Sequence, residues 1–61
     1  MRKSYEIRNG RSLWIREAGS AMEALIEYLR SQGCRDEDMV RLGTQAVSWY
    51  GAVYRAVPAA Q

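Results

Sequence analysis

Histidine is absent from this 61-residue chain, and cysteine and proline occur once each, as Cys34 and Pro58. Without histidine, the chain lacks the commonest general base and the commonest metal ligand, and nothing is present to activate Cys34 as a nucleophile. A single thiol can neither close a disulfide within one chain nor complete a tetrahedral zinc site. We therefore expect no enzymatic activity, no catalytic residue, no metal and no cofactor.

Long apolar runs are also missing from the sequence. No stretch approaches the roughly 20 apolar residues that span a bilayer, and polar residues follow the basic start of the chain. A lone free cysteine is typical of a reducing compartment. These features predict a cytoplasmic protein without a membrane segment.

The short length limits the interior that the protein can build. We expect one domain over residues 1–61, with residues 58–61 as a loose tail. A domain of this size buries only about 60% of the surface of its extended chain, so its monomer is marginally stable. Small domains gain stability from disulfides, metals or oligomerisation, and the sequence excludes the first two. A homo-oligomer, most simply a dimer, is the remaining expectation.

Charge is distributed unevenly although the chain carries a net charge of only +2. Residues 1–16 hold five basic and one acidic side chain, whereas residues 17–61 hold four basic and six acidic ones. The basic front, with Arg8, Arg11 and Arg16, could attract a nucleic acid or the acidic part of a second copy. A solvated surface of mixed charge is the alternative explanation.

Residues 4–17 have the pattern of a β-hairpin. Apolar and polar side chains alternate on both sides of Asn9-Gly10, which is a strong turn signal. A tight Asn-Gly turn would pair Ile7 with Ser12 and leave Leu13 and Ile15 on the opposite face. A loop of three or five residues would pair Ile7 with Leu13 and gather the apolar residues on one face. We favour the longer loop, which sends Trp14 outward.

Residues 20–32 predict the main helix. Ser20 precedes Glu23 by three residues, which is the capping-box pattern, and Gly33 follows the segment. Apolar residues recur at helical spacing and form the expected core stripe, which consists of Met22, Leu25, Ile26 and Leu29.

The last part of the chain holds a short acidic segment and a strand-like segment. Residues 36–42 begin with three acidic residues, as the first turn of a helix often does, and predict a second, short helix. Residues 46–57 are rich in valine and aromatic residues. They form either a single strand or a hairpin that turns at Tyr50-Gly51 and pairs Trp49 with Ala52.

The expected architecture is α+β. An N-terminal hairpin and a C-terminal strand or hairpin form a small antiparallel sheet, packed on one amphipathic helix in the order ββαβ or ββαββ. One helix covers only one face of such a sheet. The other face is therefore expected to hold Trp14 and some of the aromatic residues Trp49, Tyr50 and Tyr54. The predicted partner-binding residues are Trp14, Trp49, Tyr50, Tyr54 and Arg55.

These features favour binding over catalysis, because exposed aromatic side chains offer large contact areas at little cost in rotamer entropy. The sequence predicts a small non-enzymatic protein-interaction module. Its partner is a second copy or another protein, as for a small regulator or inhibitor. The alternative is a nucleic-acid-binding protein that uses the basic hairpin, with Arg8, Arg11 and Arg16, together with the aromatic strand.

Overall fold

A computed structural model describes residues 2–59 and shows one helix packed on a five-stranded antiparallel sheet. The strand order is β2-β1-β5-β4-β3, and every neighbouring pair is antiparallel. The α+β expectation is confirmed, with one strand more than the ββαββ order contains. In chain order the elements are β1 (Lys3–Asn9), β2 (Ser12–Ala18), α1 (Ala21–Ser31), a turn of 3-10 helix (Asp36–Asp38), β3 (Met39–Arg41), β4 (Ala46–Trp49) and β5 (Ala52–Pro58).

The first hairpin turns one residue later than Asn9-Gly10 and is tighter than expected. Asn9 pairs with Ser12 across the two-residue loop Gly10-Arg11, and Ile7 pairs with Trp14. Gly10 has a φ of 59° and is the only residue of the loop with a positive φ, as a type II′ turn requires. The predicted pairing of Ile7 with Leu13 is therefore wrong.

This register reverses the two faces of β2. Trp14 lies on the helix side, half-buried against the core, whereas Leu13 and Ile15 are 51% and 48% exposed on the other side. Because β2 carries large apolar side chains on both faces, alternation alone does not indicate which face the helix covers. The outward position predicted for Trp14 is wrong for that reason.

The start of α1 has the predicted Ser20 cap, although the Glu23 carboxylate bonds the residue before Ser20 and not Ser20 itself. The Ser20 hydroxyl accepts a hydrogen bond from the Glu23 N–H at 3.1 Å, and the Glu23 carboxylate accepts one from the Gly19 N–H at 3.3 Å. At the other end, the Cys34 N–H donates to the Leu29 carbonyl at 3.0 Å, as in a Schellman motif. Both helix ends therefore satisfy backbone groups that would otherwise lack partners.

The buried face of α1 is rotated relative to the predicted stripe. Ile26 and Met22 are only half-buried, and two alanines and a tyrosine replace them in the core. The small alanine side chains let the helix approach the sheet closely. Tyr28 packs on the aromatic side chains of the sheet. The buried helix residues, at the spacing of one helical face, are Ala21, Ala24, Leu25, Tyr28 and Leu29. On the sheet they meet Tyr5, Ile7, Val47 and Ala56.

The acidic segment forms a single 3-10 turn, Asp36–Asp38, and the predicted helix over residues 36–42 is wrong beyond it. Met39–Arg41 instead forms β3 and pairs with β4, an arrangement in which Met39 packs against the core. Asp36 accepts two hydrogen bonds from the Arg30 guanidinium, at 2.8 and 2.6 Å, which lower the pKa of Asp36 and tie the turn to α1.

The second hairpin is the alternative with a turn at Tyr50-Gly51. Trp49 pairs with Ala52, and both loop residues have positive φ, 50° for Tyr50 and 82° for Gly51. Two positive φ values define a type I′ turn, which suits the twist of an antiparallel pair.

The Gly51→Ala variant tests this turn. No atom lies within 4 Å of an added Cβ, so the cost is conformational, and we expect a loss of about 1–2 kcal/mol of unfolding free energy. Gly51→Asn is the matched control and should lose less, since asparagine tolerates a left-handed backbone. Urea denaturation measures both. Equal stability of Gly51→Ala and wild type would contradict the turn.

Strand β5 extends into the region that was expected to be a tail. Pro58 pairs with Tyr5, and the Ala59 N–H donates to the Ser4 carbonyl at 2.9 Å. β4 begins opposite Arg55 and does not extend as far as Pro58, so β1 is the one strand that neighbours β5 at this point. Proline is tolerated where its missing N–H has no strand to bond. The rest of the predicted tail, residues 60–61, lies outside the described residues.

Candidate protein-interaction surface

Within residues 2–59, the sheet has one face covered by α1 and one without a covering element. We name the second one the open face. It follows from strand alternation, since residues between the buried positions of each strand point away from the helix. Its central side chains are Glu6 and Arg8 of β1, Leu13 and Ile15 of β2, and Val53, Arg55 and Val57 of β5.

Aliphatic side chains are the unusual component of the open face. Leu13, Ile15 and Val53 are 51%, 48% and 39% exposed, and Val40 of β3 is exposed in the same way. A few isolated apolar side chains on a surface are normal, but these share one side of one sheet. Contiguous exposed apolar surface is typical of sites that bind proteins.

The charged side chains of the open face alternate with the aliphatic ones. The Arg8 Nε donates to the Glu6 carboxylate at 3.1 Å, and Glu6 is largely covered while Arg8 remains exposed. Arg55 lies directly opposite Arg8 on β5. Within residues 2–59, Arg55 forms no ion pair. Like charges in direct cross-strand positions repel, so this part of the face is not neutralised within the monomer.

The edge of the sheet at β2 is partly blocked by arginine side chains. The Ile15 carbonyl accepts a hydrogen bond from Arg16 Nη1 at 3.0 Å, and the Glu17 carbonyl accepts one from Arg2. These acceptors would otherwise be available to an added strand. The opposite edge, β3, is only three residues long. The edges therefore offer less to a partner than the open face does.

Two of the predicted partner-binding aromatics, Trp14 and Tyr54, lie on the helix side of the sheet. The rings of Trp14 and Tyr28 are 4.7 Å apart, and Tyr54 lies 6.4 and 6.2 Å from them. The Arg16 guanidinium lies 5.4 Å from the centre of the Tyr28 ring. Burial, with a further contribution from Tyr54, raises the pKa of Tyr28. The expectation that Trp14 lies on the uncovered face is therefore wrong, because α1 supplies an aromatic partner for Trp14 and for Tyr54 on the helix side.

Trp49 and Tyr50 occupy the end of the second hairpin. Trp49 packs against the core on the helix side and does not lie on the open face. Its indole N–H is buried and has no hydrogen-bond partner among residues 2–59. Tyr50 is 80% exposed, 5.9 Å from the Trp49 ring, and the charge of Asp38 raises the pKa of its hydroxyl. Of the predicted partner-binding aromatics, only Tyr50 is freely accessible.

The predicted nucleic-acid contacts are divided between different parts of the surface. Arg8 lies on the open face, paired with Glu6, whereas Arg16 lies on the helix side against Tyr28. Arg11 is exposed in the first turn. The structure does not bring these three side chains together on one surface. Arg55, which was predicted among the partner-binding residues, shares the open face with Arg8.

Cys34 is part of the core and is not an accessible thiol. Its side chain is 4% exposed and lies in the same cluster as Leu29. Burial, and then the charges of Asp38 and Asp36, raise the pKa of the thiol. A raised pKa keeps the thiol protonated and unreactive at neutral pH, which agrees with a packing role.

Comparison with known proteins adds no relative to this description. No protein-family model, curated protein or solved structure matches the chain. Within the part of the chain that the structure describes, no helix combines the length and the apolar character that crossing a bilayer requires.

The residues that sequence reasoning missed are those of the open face. Leu13 and Ile15 were expected in the core, and Glu6 was not assigned to any site. One signal was present: a tight turn would have left Leu13 and Ile15 on the far side of the sheet. That alternative gives the correct faces for β2, although its pairing partners differ from those observed.

Proposed function

We propose that this chain is a small non-enzymatic protein-interaction module that self-associates through the open face. The exposure of Leu13, Ile15 and Val53 together on one side of the sheet is the observation that carries the proposal. Removing apolar surface from water contributes about 25 cal/mol per Å² and is the main favourable term in most protein association.

The size of the domain supports a second copy as the partner. A single core in a chain below about 70 residues rarely supplies more than 3–5 kcal/mol of stability. A partner that binds only the folded chain adds to this by mass action. An interface of standard size covers about 800 Å² of each partner, which is about a fifth of the 4199 Å² surface of the chain.

The proposal moves the binding surface from the aromatic side chains to the aliphatic ones. Trp14 and Tyr54 pack around Tyr28 within one chain and need no partner to do so. Arg55 remains in the binding surface, beside Val53 and Val57 on β5.

Replacing Ile15 with lysine tests the proposal. Ile15 is half exposed, so we expect the monomer to fold normally, while the new charge must be desolvated in any interface that covers it. The dimer dissociation constant, measured by sedimentation velocity, should rise at least about tenfold, since 1.4 kcal/mol corresponds to a factor of ten.

Tyr50→Lys is the matched control, because it adds the same charge at an exposed apolar side chain away from the open face. It should leave the dissociation constant near that of wild type. Dissociation by Tyr50→Lys but not by Ile15→Lys would place the interface at the second hairpin and contradict the proposal. Tight, salt-sensitive binding of a labelled single-stranded nucleic acid by the wild-type protein would favour the nucleic-acid alternative instead.

A further inference from the structure

The charges on the open face are arranged in two rows across the strands. The pairing of β2, β1 and β5 places Ile15, Glu6 and Val57 side by side in one row. The same pairing places Leu13, Arg8 and Arg55 in the next row. One row therefore carries a single negative charge, and the neighbouring row carries two positive charges.

We infer that the open face binds the open face of a second copy by a two-fold rotation that exchanges these two rows. The rotation axis lies between the two sheets and runs across the strands, between Glu6 and Arg8. In a two-fold interface each contact occurs twice, so Glu6 of either copy meets the arginine row of the other. The inference rests on the proposed function and adds the geometry of the pairing.

Two features favour this rotation over a two-fold rotation about an axis that runs along the strands. A two-fold axis along the strands would place Arg8 of one copy against Arg55 of the other and bring four arginines together. Row exchange instead opposes Glu6 with Arg8 and brings Ile15 against Leu13 at the side of the interface. Attraction and apolar contact then occur in the same arrangement, and the Arg8 and Arg55 repulsion within each chain is relieved.

Pairing by faces also agrees with the state of the sheet edges. A dimer formed by joining two β2 strands would require the Ile15 and Glu17 carbonyls, which accept hydrogen bonds from Arg16 and Arg2. Face-to-face packing leaves those bonds intact. Stacked sheets lie about 10 Å apart with interdigitated side chains, which suits a face of leucine, isoleucine and valine.

Charge reversal tests the row exchange. In Glu6→Arg, the arginine at position 6 of one copy opposes Arg8 of the other. In Arg8→Glu, the glutamate at position 8 of one copy opposes Glu6 of the other. Each single variant therefore brings like charges together. We expect each single variant to raise the dimer dissociation constant at least about tenfold in sedimentation velocity at low salt. The double variant Glu6→Arg, Arg8→Glu exchanges the signs and should dimerise within about threefold of wild type.

An equimolar mixture of the two single variants should dimerise again, because each arginine at position 6 or 8 then meets a glutamate of the other chain. Glu37→Arg is the control for Glu6→Arg, since it makes the same change of net charge at an exposed side chain outside the strands. Circular dichroism melts of all variants establish that each is folded at the temperature of the measurement.

The outcomes separate this inference from the proposed function. If Ile15→Lys dissociates the dimer while both charge reversals leave it intact, the row exchange is overturned and the open face remains the interface. If the double variant or the mixture fails to dimerise, the row exchange is likewise overturned and the open face remains the interface. If wild type itself is monomeric at high micromolar concentration, both proposals are overturned.

Discussion

Leu25→Ala is expected to remove most of the stability of the protein. Leu25 is fully buried between α1 and the sheet, and truncation of such a leucine costs about 2–5 kcal/mol because a cavity remains. Single cores of this size supply about 3–5 kcal/mol, so the variant should be largely unfolded or close to it. Urea denaturation followed by circular dichroism measures the loss.

Ile26→Ala is the comparison for this variant, because Ile26 is the next residue on the helix and is only half-buried. It should lose clearly less unfolding free energy than Leu25→Ala. A loss for Ile26→Ala as large as that for Leu25→Ala would mean that α1 buries the predicted stripe, in which both residues face the core, and not the face observed.

Trp14→Ala is expected to destabilise the folded chain and not only to weaken binding. The Trp14 ring packs on Tyr28 at 4.7 Å and near Tyr54, on the helix side of the sheet. Full truncation of a buried aromatic costs about 3–5 kcal/mol, and the half-buried position of Trp14 reduces this to about 2–4 kcal/mol. Urea denaturation at a protein concentration below the dimer dissociation constant measures the effect on the monomer.

Ile15→Ala is the matched control, since residues 14 and 15 are neighbours on β2 and face opposite sides of the sheet. Under the same conditions it should change the monomer by less than about 1 kcal/mol, as exposed positions usually do. If Ile15→Ala destabilised the monomer more than Trp14→Ala, the faces assigned to β2 would be reversed.

Local signals in the sequence predicted the elements that depend on neighbouring residues. The Ser20 cap and the end of α1 before Gly33 result from hydrogen bonds or φ values within a few residues. The turn at Tyr50-Gly51 also depends on local φ values, and it was one of the two alternatives left open for residues 46–57. The α+β class follows from the order of those elements along the chain. These features therefore needed no information about the tertiary structure.

The register of the first hairpin depends on longer-range packing and could not be predicted in the same way. Two overlapping turns, Asn9-Gly10 and Gly10-Arg11, both use the glycine, and they shift the partner of every residue in β2. The structure selects the second turn, which places Trp14 in contact with Tyr28 of α1. Because that contact joins distant segments, alternation within β2 does not reveal it.

The same packing explains why the candidate surface differs from the predicted one. Aromatic side chains were expected on the uncovered face because a single helix covers only one face of the sheet. The helix instead presents Ala21 and Ala24 to the sheet, which leaves room for Tyr28 and its aromatic neighbours on that side. The aliphatic residues Leu13 and Ile15 occupy the open face as a result.

The mass of the wild-type protein in solution tests the central claim most directly. The chain has a mass of 7.0 kDa, so a dimer has twice that mass, about 14 kDa. Light scattering over a range of concentrations should show the mass rising toward the dimer value, and the melting temperature should rise with protein concentration. A mass of 7.0 kDa at high micromolar concentration, with a melting temperature independent of concentration, would contradict self-association through the open face.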